Sequence, residues 1–262
     1  MSNLTTDSIL ELSRFANILA DDAREVSLRY FRQEFEIESK EDQSPVTFID
    51  RKIESHLADR IAELYPEHGF LGEEFGRHGE DPEQLWVVDP IDGTRSFISG
   101  NPLFGTLIAL LSQGEPVIGI IDIPALDQRW VGVKEGGATL NGAPCNTRQT
   151  LRPEQASLHT TSPDMFNPDQ KRRTGPLVER CRFNQFGGDC FNYGQVASGW
   201  TDLVLEADLK PYDYFALVPV IQGAGGVISD WEGDPLSLSS TGEVVASATP
   251  ALHDAALSHL AL

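Results

Sequence analysis

Four apolar runs of strand length follow one another in the middle of the chain: Trp86–Val88, Leu103–Leu111, Val117–Ile123 and Trp130–Val133, parted by Gly, Pro and Asp turns. The short connections predict an antiparallel meander. Upstream, Ser8 and Glu11 form a capping-box pair, after which Leu12, Phe15, Leu19, Ala23, Val26 and Tyr30 recur every three or four residues as one stripe of a long helix. Pro45 and Thr47 open a second helix whose Ile49, Ile53, Leu57, Ile61 and Leu64 share a face until Pro66, with Asp50 in its first turn. Downstream, strands at Ser157–Thr161, Leu203–Leu205 and Val227–Ser229 alternate with helices at Phe191–Ala197 and Tyr212–Gln222. Mixed, largely antiparallel sheet plus a second smaller sheet, layered with helices, is the expected α+β architecture.

The chain has 262 residues, 40% of them hydrophobic, enough for a sizeable core in two closely packed lobes, 1–145 and 146–262. Lys and Arg number 20 against 40 Asp and Glu, a formal charge of −20 that repels a nucleic-acid backbone. The start lacks the basic and apolar segments of a secretory signal, and the longest apolar stretch, Thr106–Leu111, is far short of the roughly 20 residues a membrane helix needs. Cys145, Cys181 and Cys190 have no metal-type spacing and an odd count, which reads as reduced thiols and a cytoplasmic protein. The basic run Lys171–Arg173 reads as a solvated stretch of polar loop.

Chemistry concentrates in Trp86-Val87-Val88-Asp89-Pro90-Ile91-Asp92-Gly93-Thr94, where a strand ends in two carboxylates three apart. By themselves Asp89 and Asp92 also suit ordinary Asp-Pro and Asp-Gly turns. Gly72-Glu73-Glu74-Phe75-Gly76 precedes them, and Lys210-Pro211-Tyr212-Asp213 follows, ahead of Gly223-Ala224-Gly225-Gly226. Glu73 alone fits a solvated loop charge, and Asp213 alone fits a helix cap or first-turn acid. If these acids converge, two carboxylates ~4 Å apart repel by about 4 kcal/mol at an effective dielectric near 20, so convergence requires cations. Oxygen ligands alone select Mg2+. The six histidines lack zinc spacing, and Asp89–Thr94 lacks the alternating ligands of an EF-hand.

These three segments, in this order and spacing, resemble the signature of the inositol monophosphatase family of Mg2+-dependent phosphatases, over about Phe15 to Asp230. Within it the chain is most similar to the histidinol-phosphatase branch, through Gly72–Gly76, Thr94–Gly100 with Phe104–Leu110, Thr160–Met165, Phe186–Asp189 and Lys210–Asp213. The resemblance implies a sugar-phosphatase-like, layered α-β-α-β-α sandwich. The first lobe would carry most metal ligands, and the second Asp213 and substrate-binding residues.

It further implies two to three Mg2+ ions. Glu73, Asp89 and the Ile91 carbonyl would hold one ion, and Asp89, Asp92 and Asp213 a second, with a third, looser ion touching Glu73. Asp50 would pair with Thr94 and, with Glu73, ready the attacking water. Asp92, Gly93, Thr94, Gly188, Asp189, Glu206 and Asp213 would bind substrate, Gly93 and Thr94 through phosphate oxygens. Arg95 is open between a phosphate contact and plain surface, and Asp189 between the pocket and a cap of the helix near Cys190. Two acids, Asp189 and Glu206, favour an ammonium over a polyol. The implied activity is hydrolysis of histidinol phosphate in histidine biosynthesis by a homodimer. Alternatives are an inositol-1-phosphate phosphatase, more distantly a bisphosphate nucleotidase or fructose-bisphosphatase, and, outside enzymes, an acidic metal-binding module. The Asp-x-Asp of haloacid-dehalogenase-like phosphatases does not match, because two residues part Asp89 from Asp92.

Overall fold

The computed structural model describes residues 4–34, 37–39, 45–79 and 83–261. The chain starts with α1 (Thr6–Tyr30), a short hairpin of β1 (Ile37–Ser39) and β2 (Pro45–Thr47), and α2 (Phe48–Leu64). Next come β3 (Gly69–Gly72), β4 (Gly76–His78), β5 (Gln84–Asp92), α3 (Thr94–Ile98), β6 (Gly105–Ser112), β7 (Glu115–Ile123), β8 (Gln128–Val133), β9 (Gly137–Leu140) and β10 (Ala143–Pro144). These strands form an eight-stranded sheet in the order β10-β9-β8-β7-β6-β5-β3-β4. From β5 to β10 it is the expected antiparallel meander, and β3 joins parallel to β5.

The remaining elements are β11 (Ser157–Thr160), α4 (Pro168–Arg180), β12 (Phe183–Phe186), α5 (Phe191–Ala197), β13 (Leu203–Glu206), α6 (Pro211–Tyr214), α7 (Leu217–Gly223), β14 (Val227–Ser229), β15 (Val244–Ser247) and α8 (Pro250–Leu260). Their strands make a five-stranded mixed sheet, β12-β11-β13-β15-β14.

Strand alternation sorts the core into three slabs. Trp86, Val88, Ile108 and Ile118 face α1 and α2, packing on Leu12, Phe15, Ile53 and Leu57. Leu85, Val87, Leu107 and Ile121, on the opposite face, meet α5 and α7 together with Val204, Val244 and Ala246 of the smaller sheet. Leu158, Leu203, Leu205 and Val245 turn the other way onto Leu177 of α4 and Leu252, Ala256 and Leu260 of α8. Five layers, α-β-α-β-α, result, as the resemblance implied. The middle layer is seated on bare backbone: a Cβ at Gly119 would lie 2.0 Å from the Ala216 carbonyl oxygen, and one at Gly132 2.3 Å from Pro219.

Several boundaries differ from the sequence reading. α1 starts a turn earlier, capped by the Thr5 hydroxyl on the Ser8 amide (3.2 Å), so Ser8 is the third helical residue and not the cap. Pro45–Thr47 pairs as a strand, and α2 begins at Phe48. The expected helix Tyr212–Gln222 is two helices because Pro219 has no N–H for the Phe215 carbonyl four residues back. Lys171–Arg173 lies in α4, not a loop; Asn167 and Gln170 cap it reciprocally, and Gly175 and Pro176 hide its periodicity. Arg173 bridges Glu232 (2.7 Å) and Glu243 (3.4 Å). The three cysteines are free thiols.

Candidate metal centre and substrate pocket

Strand register gathers the first acids. Gly72 of β3 is paired in parallel with Val88 of β5, so the residues that follow, Glu73 just past the end of β3 and Asp89 within β5, lie side by side. The Glu73 carboxylate is near enough to Asp89 to raise the Asp89 carboxyl further, after burial. In a regular strand Asp89 and Asp92 would point to opposite faces. The β5–β6 register slips between them, from Asp89 opposite Leu107 to Asp92 opposite Gly105, and this bulge returns both carboxylates to one side. The Pro90 carbonyl, pushed out of the ladder, accepts the Thr106 hydroxyl at 2.9 Å.

Asp213 arrives from the other direction, in the single turn α6, with its Oδ2 accepting the Lys210 amide at 2.7 Å. Ligand-capable oxygens of Asp89, Asp92 and Asp213 then lie within 4.8 Å of one another, the one such group among the described residues. Each carboxylate is further oriented by backbone: Asp89 Oδ1 accepts the Ile91 amide (3.0 Å) and Asp92 Oδ2 the Cys190 amide (2.6 Å). Burial, then the neighbouring acids, pushes Asp89 and Asp92 well above the usual carboxylate range. Burial pushes Asp213 up to about 7, against the pull of the Lys210 amide. A donor set of oxygens alone, held in place against its own repulsion, fits a hard divalent cation of the Mg2+ kind.

Gly93 makes the turn out of β5 at φ +75°, a conformation that admits α3 directly behind the acids. A Cβ there would stand 2.6 Å from Asp189 Oδ2, so its absence also lets Asp189 approach. The Thr94 hydroxyl donates to the Ile91 carbonyl (3.2 Å), which engages its proton within the turn. Asp50 is buried in the first turn of α2.

Two adjoining cavities open beside the acids. One of about 120 Å3 is lined by Asp92, Asp189, Glu206 and Asp213, with Thr161 and Tyr193, and by no Lys or Arg among the described residues. The other, about 510 Å3, runs past Glu73, Gly93, Thr94 and the exposed Arg95. Asp189 is not a helix cap: Cys190 holds that position without a side-chain bond. Asp189 instead sits at φ +46° and accepts the Ser96 hydroxyl at 2.8 Å. Burial raises its carboxyl, while Ser96 and then Arg95 act the other way. Glu206 is pushed to about 7 by burial although Thr161 and Tyr193 stabilise its charge; the Tyr193 hydroxyl donates at 2.9 Å and the Thr161 amide at 3.0 Å. Gly188 and Asp50 line neither cavity; Gly188 leaves space for the Asn192 side chain. A larger groove of about 660 Å3 between α2 and the β3–β4 hairpin holds none of these acids.

Sequence reasoning gave no role to Ser96, Thr161, Tyr193 or Glu54. The first two lie in segments that carried the resemblance; Tyr193 and Glu54 had no local signal.

A family model described as the inositol monophosphatase family matches residues 9–261. Among curated proteins, the chain is 43% identical over 262 residues to the chloroplastic bifunctional phosphatase IMPL2 of Arabidopsis thaliana, covering 95% of this chain and 76% of that one. It is 32% identical to the histidinol-phosphatase of Chlorobaculum parvum, covering 87% and 89%. Among solved structures, an inositol monophosphatase from Zymomonas mobilis superposes with a TM-score of 0.88 at 43% identity, over 96% of this chain and 98% of that one.

Proposed function

The chain belongs to the inositol monophosphatase family of phosphatases, and on that premise we propose that it hydrolyses L-histidinol phosphate to L-histidinol and phosphate. The carrying observation is the small cavity where Asp189 and Glu206 meet with no Lys or Arg lining it among the described residues. An ammonium adds the attraction of opposite charges to its hydrogen bonds there, whereas a neutral polyol hydroxyl brings hydrogen bonds alone. The likeness to the Chlorobaculum parvum enzyme agrees. Hydrolysis of inositol-1-phosphate is the second reading, favoured by the structural likeness to the Zymomonas mobilis protein.

Glu73, Asp89, the Ile91 carbonyl, Asp92 and Asp213 would hold two to three Mg2+ ions. When bound, the cations supply Lewis acidity at the phosphoryl oxygens and lower the pKa of the attacking water. The chain's own residues then orient the reactants. Gly93 and Thr94 offer their amides to phosphate oxygens, as a turn that opens a helix does. Asp50 would pair with Thr94 and, together with Glu73, orient or deprotonate the water. Thr161 and Tyr193 fix Glu206, and Ser96 fixes Asp189, against the cationic end of the substrate. No covalent intermediate on the protein is needed. The reading extends to lobes 1–145 and 146–262 in a cytoplasmic homodimer; three free thiols suit a reducing compartment.

Phosphate release with and without Mg2+ from histidinol phosphate, inositol-1-phosphate and adenosine bisphosphate tests it. Histidinol phosphate is expected to give the highest kcat/KM. A preference for inositol-1-phosphate would transfer the assignment to the second reading.

A further inference from the structure

Glu54 is an acid with no exposure to solvent, one helical turn after Asp50 on the same face of α2. It makes no contact with the carboxylate trio that any bond describes. Instead its Oε2 accepts the Glu74 amide and its Oε1 the Phe75 amide, both at 2.8 Å. Those amides belong to the three-residue loop Glu73–Phe75 joining β3 to β4, closed by Gly76 at φ +72°. β4 is a three-residue edge strand, and the loop is also tied to α2 through the buried Glu74 side chain, 4.0 Å from Arg51. The carboxylate also occupies the volume beside Gly72: a Cβ there would fall 1.9 Å from Glu54 Oε1. Gly72 needs no unusual backbone angle, since its φ is outside the left-handed region. The glycine of Gly-Glu-Glu is thus explained by what fills its side-chain space.

We propose that Glu54 is the positioning residue that presents Glu73 to the metal centre, by gripping the loop amides through the gap left at Gly72. The proposal rests on the reading of Glu73 as a metal ligand. An acid that orients a ligand without touching the ion commonly governs 10–100-fold of affinity, and an effect of about that size is expected here.

The test is calorimetric titration of Mg2+ into EDTA-stripped, folded protein, with kinetics in parallel. Glu54→Gln keeps the volume but turns an NH2 group toward one of two N–H donors. It is expected to weaken Mg2+ binding at least about tenfold. Gly72→Ala should weaken binding similarly, and should cost no more than Glu54→Ala when the two are combined, because the methyl then enters the vacated space. Glu73→Gln is the control for the underlying reading. If Glu73→Gln weakens binding and Glu54→Gln does not, the positioning role is wrong. If Glu73→Gln itself binds Mg2+ like the parent, the ligand reading fails and takes the proposal with it. A role in stability alone would lower the unfolding temperature and leave the affinity of the folded fraction unchanged.

Discussion

Replacing Asp213 by Asn should make the metal-free protein more stable and the Mg2+-loaded protein relatively less so. The Asn Oδ1 keeps the bond to the Lys210 amide, so only the charge is lost. Burial, and then Glu73 and Glu206, push Asp213 up to about 7 in the fold from an ordinary 3.8. That difference is on the order of 4 kcal/mol, at 1.36 kcal/mol per unit. Carboxylate oxygens no more than 4.8 Å apart repel by at least about 3.5 kcal/mol per pair at an effective dielectric of 20, which adds to the cost of burial. The sign follows from proton counting. Between pH 4 and 7, roughly, the folded state binds more protons than the unfolded one, so stability falls as pH rises through that window. The penalty is complete above it and absent below it. At 2–4 °C per kcal/mol for a domain near this size, the variant in EDTA should unfold roughly 8–16 °C above the parent at pH 8, and level with it near pH 4. Calorimetry at both pH values, repeated with Mg2+, reads this, and Mg2+ should raise the parent more than the variant. An unfolding temperature for Asp213→Asn at or below the parent's in EDTA at pH 8 would refute the penalty that burial and the neighbouring acids place on this charge.

Three further outcomes are expected. Asp189→Ala should cut kcat/KM for histidinol phosphate about 10–100-fold, the worth of one charge-assisted hydrogen bond, and leave an aryl phosphate nearly unaffected; equal losses would remove Asp189 from the pocket. His253 lies buried between the Ser229 and Ser247 hydroxyls at 2.9 and 3.0 Å, and burial lowers its pKa below the ordinary 6.5. Its neutral form therefore stabilises the fold fully above pH 6.5 and less as pH falls, so the parent's advantage over His253→Gln in urea unfolding should shrink from pH 7.5 to 5.5; a constant gap would contradict this. Asp122 is fully buried and bonds the Arg24 Nη2 and Arg129 Nε atoms, each at 2.7 Å, so Asp122→Ala should cost about 3–5 kcal/mol in urea unfolding, and a loss under about 1 kcal/mol would show the guanidinium groups solvated.

What was legible in the sequence follows from how far each feature depends on its neighbours in the chain. The meander could be read because β5, β6 and β7 are buried on both faces and stay apolar through consecutive positions. α1 could be read from its stripe. β4, β9 and β10 have no two buried positions in a row, unlike the equally short β11 and β13, and α4 buries only Thr174 and Leu177. In the site, Asp89, Asp92 and Asp213 were found from motif spacing. Their partners were not: the Cys190 amide on Asp92, Ser96 on Asp189 and Glu54 on the Glu73 loop depend on chain direction and register across distant segments. The slip between Asp89 and Asp92 likewise belongs to the pairing with β6 and to no residue of the motif alone.

The contact of α7 with Gly119 and Gly132 has a mechanical consequence. Main chain rests on main chain there, with no side chains able to change rotamer, so the two sheets have no alternative register in which to slide. Asp213, in the single turn directly before that helix, is thereby tied to the sheet that bears Asp89 and Asp92. The spacing of these three acids is thus anchored to the backbone seat of α7 on β7 and β8.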